Sequence, residues 1–142
     1  MMVRAASPAT PPSRSRLVVP GIIGERPRAL RFVVGVCRAH GLSTDVEHAL
    51  VSAFGEAFNQ AVLYSYKDAA GTLAVEVEVV ARDRVTLIVR DRGAGAQGGG
   101  GDVAERRYGL FIMLRAMDEV RWWKEGDENV VALVKHLPRQ TT

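Results

Sequence analysis

Residues 72–91 read TLAVEVEVVARDRVTLIVRD, and this stretch decides what kind of fold the chain adopts. Val75, Val77 and Val79 alternate with Glu76 and Glu78. A period of two puts the valines on one face of a strand and the carboxylates on the other. Ala81-Arg82-Asp83-Arg84 interrupts the pattern, and Val85 to Arg90 follows as a second run rich in β-branched residues. Two such runs around a short polar turn predict a β-hairpin.

The flanking segments carry a different period. Upstream, Arg14 to Val19 reads as a strand ended by Pro20-Gly21. From Pro27, the apolar positions Leu30, Val33, Val34 and Cys37 recur at helical spacing until Gly41 stops them. Thr44-Asp45-Val46-Glu47 reads as a capping box, with the Thr44 hydroxyl accepting a free backbone N–H and Glu47 reaching back. The helix it opens runs to Tyr66, with Val46, Leu50, Ala53, Phe54, Ala57, Ala61 and Tyr64 along one broad face. Downstream, the glycine-rich stretch Gly93 to Gly101 separates the hairpin from a helical pattern at Tyr108 to Met117. Glu119 to Lys124 and Asn129 to Leu137 then read as two strands joined by Glu125-Gly126-Asp127-Glu128. The order β-α-α-β-β-α-β-β predicts an α+β fold, a two-layer α/β sandwich with helices on one face of a mostly antiparallel sheet.

Residues Met1 to Ser13, with Pro8, Pro11 and Pro12 among small side chains, are expected to form a disordered tail. The folded domain is then expected over 14–137, with a short tail over 138–142. A chain of 142 residues has room for one hydrophobic core. Its 47% apolar and 25% charged content is that of an ordinary soluble globular protein. No apolar run approaches the roughly 20 residues that span a membrane, and no apolar leader segment is visible at the N-terminus. The single cysteine, Cys37, sits in an apolar helical pattern and reads as a core residue. These features predict a cytoplasmic location.

The net charge of +3 and the pI of about 9.4 raise the question of nucleic acid. Arg4, Arg14, Arg16, Arg26, Arg28 and Arg31 crowd the first quarter of the chain, but no aromatics are interleaved there to stack on bases. His40, His48 and His136 lack zinc-ligand spacing. The basic excess therefore reads as a solvated surface that favours acidic partners, without direct nucleic-acid binding.

Three segments carry chemistry. Glu56 and Gln60 share a helix face one turn apart, so a carboxylate and a carboxamide can position a hydroxyl and offer oxygen to a hard cation. Asp91, at a strand end before Gly93 and Gly95, puts an acceptor beside a backbone that a planar ligand can approach closely. In Tyr108-Gly109-Leu110, a glycine is read as opening a helix whose free N–H groups would attract an anion. The run Gly93-Ala94-Gly95-Ala96-Gln97-Gly98 also spells a dinucleotide fingerprint, which requires a helix to start inside the loop. Gly98 to Gly101 oppose that, each glycine disfavouring helix by about 1 kcal/mol relative to alanine.

Taken together, Glu56-Ala57-Phe58-Asn59-Gln60-Ala61-Val62 resembles the N-box helix of the GHKL ATPase superfamily. Asp91-x-Gly93-x-Gly95 resembles its first glycine box, and Arg107-Tyr108-Gly109-Leu110 its second. Within the superfamily, the short chain and the hairpin before Asp91 are most similar to anti-sigma-factor serine kinases. The resemblance implies a Bergerat-type, histidine-kinase-like fold that binds ATP with Mg²⁺. It implies that Glu56 is the catalytic base, that Asp91 binds the adenine amino group beside Gly93 and Gly95, and that Gln60 takes the metal position. Ala96 to Arg107 would be a lid over the phosphates, met by Arg106 or Arg107, with Gly109 and Leu110 completing the nucleotide site. Gln60 replaces the family's asparagine, Tyr64 its usual histidine, and Arg107 a common glycine.

The implied activity is phosphorylation of a serine on an antagonist protein, in a partner-switching circuit that controls a sigma factor. A homodimer is left open. The alternative is a non-catalytic interaction module that retains the ATP-binding fold.

Overall fold

The hairpin forms where the alternation put it. Strands β2 (Thr72–Val80) and β3 (Arg84–Asp91) pair antiparallel, with Val77 opposite Leu87 and Val75 opposite Val89. The structure, a computed structural model, describes residues 11–66, 71–93 and 103–138, with backbone alone at 64, 65 and 103–106. Strand β1 (Ser13–Pro20) borders β2, and β5 (Glu128–His136) borders β3, with β4 (Glu119–Glu125) at the far edge. The five-stranded sheet has the order β1-β2-β3-β5-β4, and every neighbouring pair is antiparallel.

Period two gives the sheet two unlike faces. Leu73, Val75, Val77 and Val79 of β2 join Val85, Leu87 and Val89 of β3 in the core, where they meet residues of all three helices. Those helices are α1 (Arg26–Ala39), α2 (Thr44–Asn59) and α3 (Val103–Ala116). Helix α2 contacts α1, α3, β3 and β5, so it lies at the centre of the helical layer. Its Phe54 and Phe58 are fully buried, ring edge toward ring face, with centroids 6.0 Å apart.

The opposite face carries charges on β1, β2 and β3, beside apolar Ile88, Val130 and Ala132. The register sets Arg14 against Glu78 and Arg16 against Glu76, with N–O separations of 2.8 and 3.2 Å. Arg90 of β3 reaches Glu76 at 3.2 Å and Glu125 at 3.0 Å. Its hydrogen bond holds the Glu125 carboxyl below the ordinary carboxylate range. Part of the N-terminal basic excess is thus neutralised within the sheet, by the carboxylates that the alternation turns outward. Such exposed pairs each stabilise by only about 0–1 kcal/mol. Their consistent register chiefly marks which face of the sheet points to water.

Several local expectations shift. The N-cap of α2 is Ser43, whose Oγ accepts from the Val46 N–H at 3.2 Å, in place of a box opened by Thr44. Glu47 pairs instead with Arg38 of α1 at 3.2 Å. The long helix changes winding before its end, and Gln60–Tyr66 is π-helical. Strand β1 begins at Ser13, one residue inside the expected tail. Helix α3 begins at Val103, ahead of the expected Tyr108. The remainder of the expected tail up to Thr10, residues 67–70, the glycine run at 94–101 and residues 139–142 of the expected C-terminal tail lie outside the described residues. Among the described residues no helix is long and apolar enough to cross a membrane.

Cys37 lies fully buried on α1 beside Ala29 and Val33. Burial, with Glu47 nearby, pushes its thiol from 9.0 up to about 11. That leaves about 100-fold less thiolate at neutral pH than an exposed cysteine has. Reaction of Cys37 with a disulfide reagent should therefore be at least about 100-fold slower in native buffer than in denaturant. Equal rates in the two conditions would show that the α1 face is not packed.

Candidate functional site

β3 ends in a buried carboxylate. Asp91 is the one buried charged or polar side chain among the described residues, 6% exposed. Its Oδ1 accepts from the Gly93 N–H at 3.0 Å and from Asn129 Nδ2 at 2.8 Å. Asn129 stands directly opposite Asp91 in the β3–β5 register, and its Nδ2 also donates to the Gly93 carbonyl at 2.9 Å. A buried carboxylate is costly unless hydrogen-bonded. Here the same two bonds that satisfy Asp91 Oδ1 fix the turn at Gly93.

Helix α2 supplies a second group. Glu56 and Gln60 project from one face and converge on Gly109 of α3. A Cβ built on Gly109 would stand 2.8 Å from Glu56 Oε2 and 3.1 Å from Gln60 Nε2. Glycine inside a helix is disfavoured by about 1 kcal/mol relative to alanine, so Gly109 needs a reason to be there. The close approach of two polar side chains from the neighbouring helix supplies it. This corrects the reading of Gly109 as the residue that opens a helix. It lies beyond the first turn of α3, where the backbone N–H belongs to the helical ladder and is not free for an anion.

Asn59 is not among the nearest groups to Gly109. Its Oδ1 is buried with no hydrogen-bond partner, as is Arg26 Nε, and the Arg26 guanidinium presses on Gly55, one turn before Asn59 on α2. Gln60, not Asn59, is therefore the amide that shares the Gly109 contact with Glu56. A carboxylate with a single amide suits a hard cation that takes most of its ligands from phosphate and water. No cluster of three or more acidic, histidine or cysteine ligands occurs among the described residues.

The remaining expected site residues divide by position. Arg107 is exposed, Gly109 buried and Leu110 half-buried. Gly95 and the first part of the expected lid, 96–102, lie outside the described residues, as does the side chain of Arg106. The second part of that lid, from Val103 to Arg107, forms the start of α3.

Sequence reasoning missed two residues. Asn129 carried no local signal, because its partner Asp91 lies on another strand. Tyr66 was read only as a helix end. It is 7% exposed, accepts a hydrogen bond from the Arg92 N–H at 3.0 Å and donates one to the Thr72 carbonyl.

The profile of a family described as the histidine kinase-like ATPase domain matches residues 25–135. Among solved structures, the chain is similar to the RsbU and RsbW domains of Rv1364c from Mycobacterium tuberculosis, with a TM-score of 0.65 at 19% identity. That similarity covers 94% of this chain and 35% of the other, so the chain spans about a third of the solved protein. No curated protein matches the chain.

Proposed function

Because the chain belongs to the histidine kinase-like ATPase domain family, we propose that it binds ATP with Mg²⁺ and transfers the γ-phosphoryl group to a serine of a partner protein. In this reading the partner is the antagonist in a partner-switching circuit, and the chain also holds a sigma factor. The observation that carries the proposal is the convergence of Glu56 and Gln60 on Gly109. It joins an acid, an amide and the second glycine motif, which are far apart in sequence.

Each residue has a task. Asp91, oriented by Gly93 and Asn129, accepts a hydrogen bond from the adenine amino group. Glu56 accepts the proton of the seryl hydroxyl as its oxygen attacks the γ-phosphorus. The new O–P bond forms, the bond to the β-phosphate oxygen breaks, and ADP leaves. Gln60 would hold Mg²⁺ through its amide oxygen, and the bound ion would offset the phosphate charge. Arg107, exposed at the start of α3, is a cation available to the phosphates.

Asp91→Ala tests the nucleotide half. Loss of the base contact should weaken ATP binding by about 1–3 kcal/mol, roughly 5- to 150-fold, measured by calorimetry with Mg²⁺ present. Unchanged affinity would reject the assignment of Asp91. Wild-type protein that binds ATP tightly but phosphorylates no candidate antagonist would be the non-catalytic interaction module.

A further inference from the structure

We infer that Tyr66 is a positioning residue for the nucleotide, tying the helix that carries Glu56 and Gln60 to the turn that carries Asp91. The inference rests on the ATP-binding reading and adds a residue to that same site. Tyr66 ends the π-helical stretch that continues α2. An i→i+5 winding is wider than an α-helix, so it alters the angle at which the last side chain leaves. That side chain enters a slot between two glycines. A Cβ on Gly71 would overlap a ring carbon of Tyr66, and a Cβ on Gly21 would stand 2.7 Å from another. The two glycines are themselves joined, Gly21 N–H to Gly71 carbonyl, at 2.7 Å.

The slot fixes the ring, and the ring fixes the hydroxyl. Tyr66 Oη donates to the Thr72 carbonyl at the start of β2 and accepts from the Arg92 N–H just past the end of β3. Burial raises the phenol above its ordinary pKa, so it keeps the proton that it donates. Arg92 lies between Asp91 and Gly93, the two residues that Asn129 holds from the other side. The turn is thus held from β5 by an amide and from the end of α2 by a phenol. A rigid turn spares ATP the cost of ordering it on binding.

The test is Tyr66→Phe in the full chain, which keeps the ring in its slot and removes both hydrogen bonds. Amide exchange at Arg92 in nucleotide-free protein should rise about tenfold, while exchange at Val75 and Leu87 stays unchanged. ATP affinity should fall about 3- to 20-fold. GTP affinity should fall less, because a loosened Asp91 forfeits its contact with the adenine amino group, which guanine lacks at that position. ATP affinity within twofold of wild type would overturn the positioning role. So would an equal loss for ATP and GTP with faster exchange at Val75 and Leu87, which would mark Tyr66 as a core residue only. Wild-type protein that binds neither nucleotide would overturn the ATP-binding reading together with this one.

Discussion

Glu56→Gln should lower phosphoryl transfer to the partner serine by about 10²- to 10⁴-fold while leaving ATP affinity within about twofold. The substitution keeps the size of the side chain and removes its ability to accept a proton. Gly109→Ala should reach a similar result by another route. Its new methyl would overlap the Glu56 carboxylate, the movable end of a side chain. The helices can therefore keep their packing while Glu56 and Gln60 turn aside. Alanine also favours helix over glycine by about 1 kcal/mol, so the variant should melt no lower than wild type. Transfer assays, calorimetry and thermal melts on both variants separate these effects. Transfer at the wild-type rate in Glu56→Gln would remove Glu56 from the chemistry. A Gly109→Ala protein that melts well below wild type would show that the two helices, and not only two side chains, meet at this point.

Phe54→Ala should destabilise the protein by about 3–5 kcal/mol. Phe54 is fully buried on α2, against Phe58, in the helix that touches the other two helices and the central strands. Neighbours held by a sheet and two further helices can collapse only partly into the space left behind. Domains of this kind are stable by only about 5–15 kcal/mol, so the loss is a large fraction of the whole. Urea denaturation should show a lower midpoint with an unchanged slope. A midpoint like that of wild type would mean that α2 is not the centre of the core. ATP should raise the melting temperature of the variant by mass action if the folded fraction still binds it.

Features with a short-range cause were legible in the chain. The β2–β3 hairpin followed from Val-Glu alternation and a polar turn, because period two is set by the geometry of a single strand. Much of the α1 and α2 faces followed from helical spacing, although Ala29 and Phe58 are buried and were not read there, Val34 lies outside the core, and the side chain of Tyr64 is not described. The start of α2 was placed one residue late. Ser43 and Thr44 carry the same hydroxyl, and only the backbone angles at Ser43 (φ −65°, ψ 159°) choose between them. Helix α3 was begun late because Gly109 looked like a helix opening. Its cause lies on α2, where no sequence window around position 109 can see it.

The sequence by itself determined the alternation of the sheet and the order of strands and helices, because each depends on residues a few positions apart. Tertiary structure decided the rest. It set Arg14 and Arg16 against Glu78 and Glu76, brought Asn129 opposite Asp91, and slotted Tyr66 between Gly21 and Gly71. Those contacts are fixed by strand register and helix packing, which form only when distant segments exclude water together.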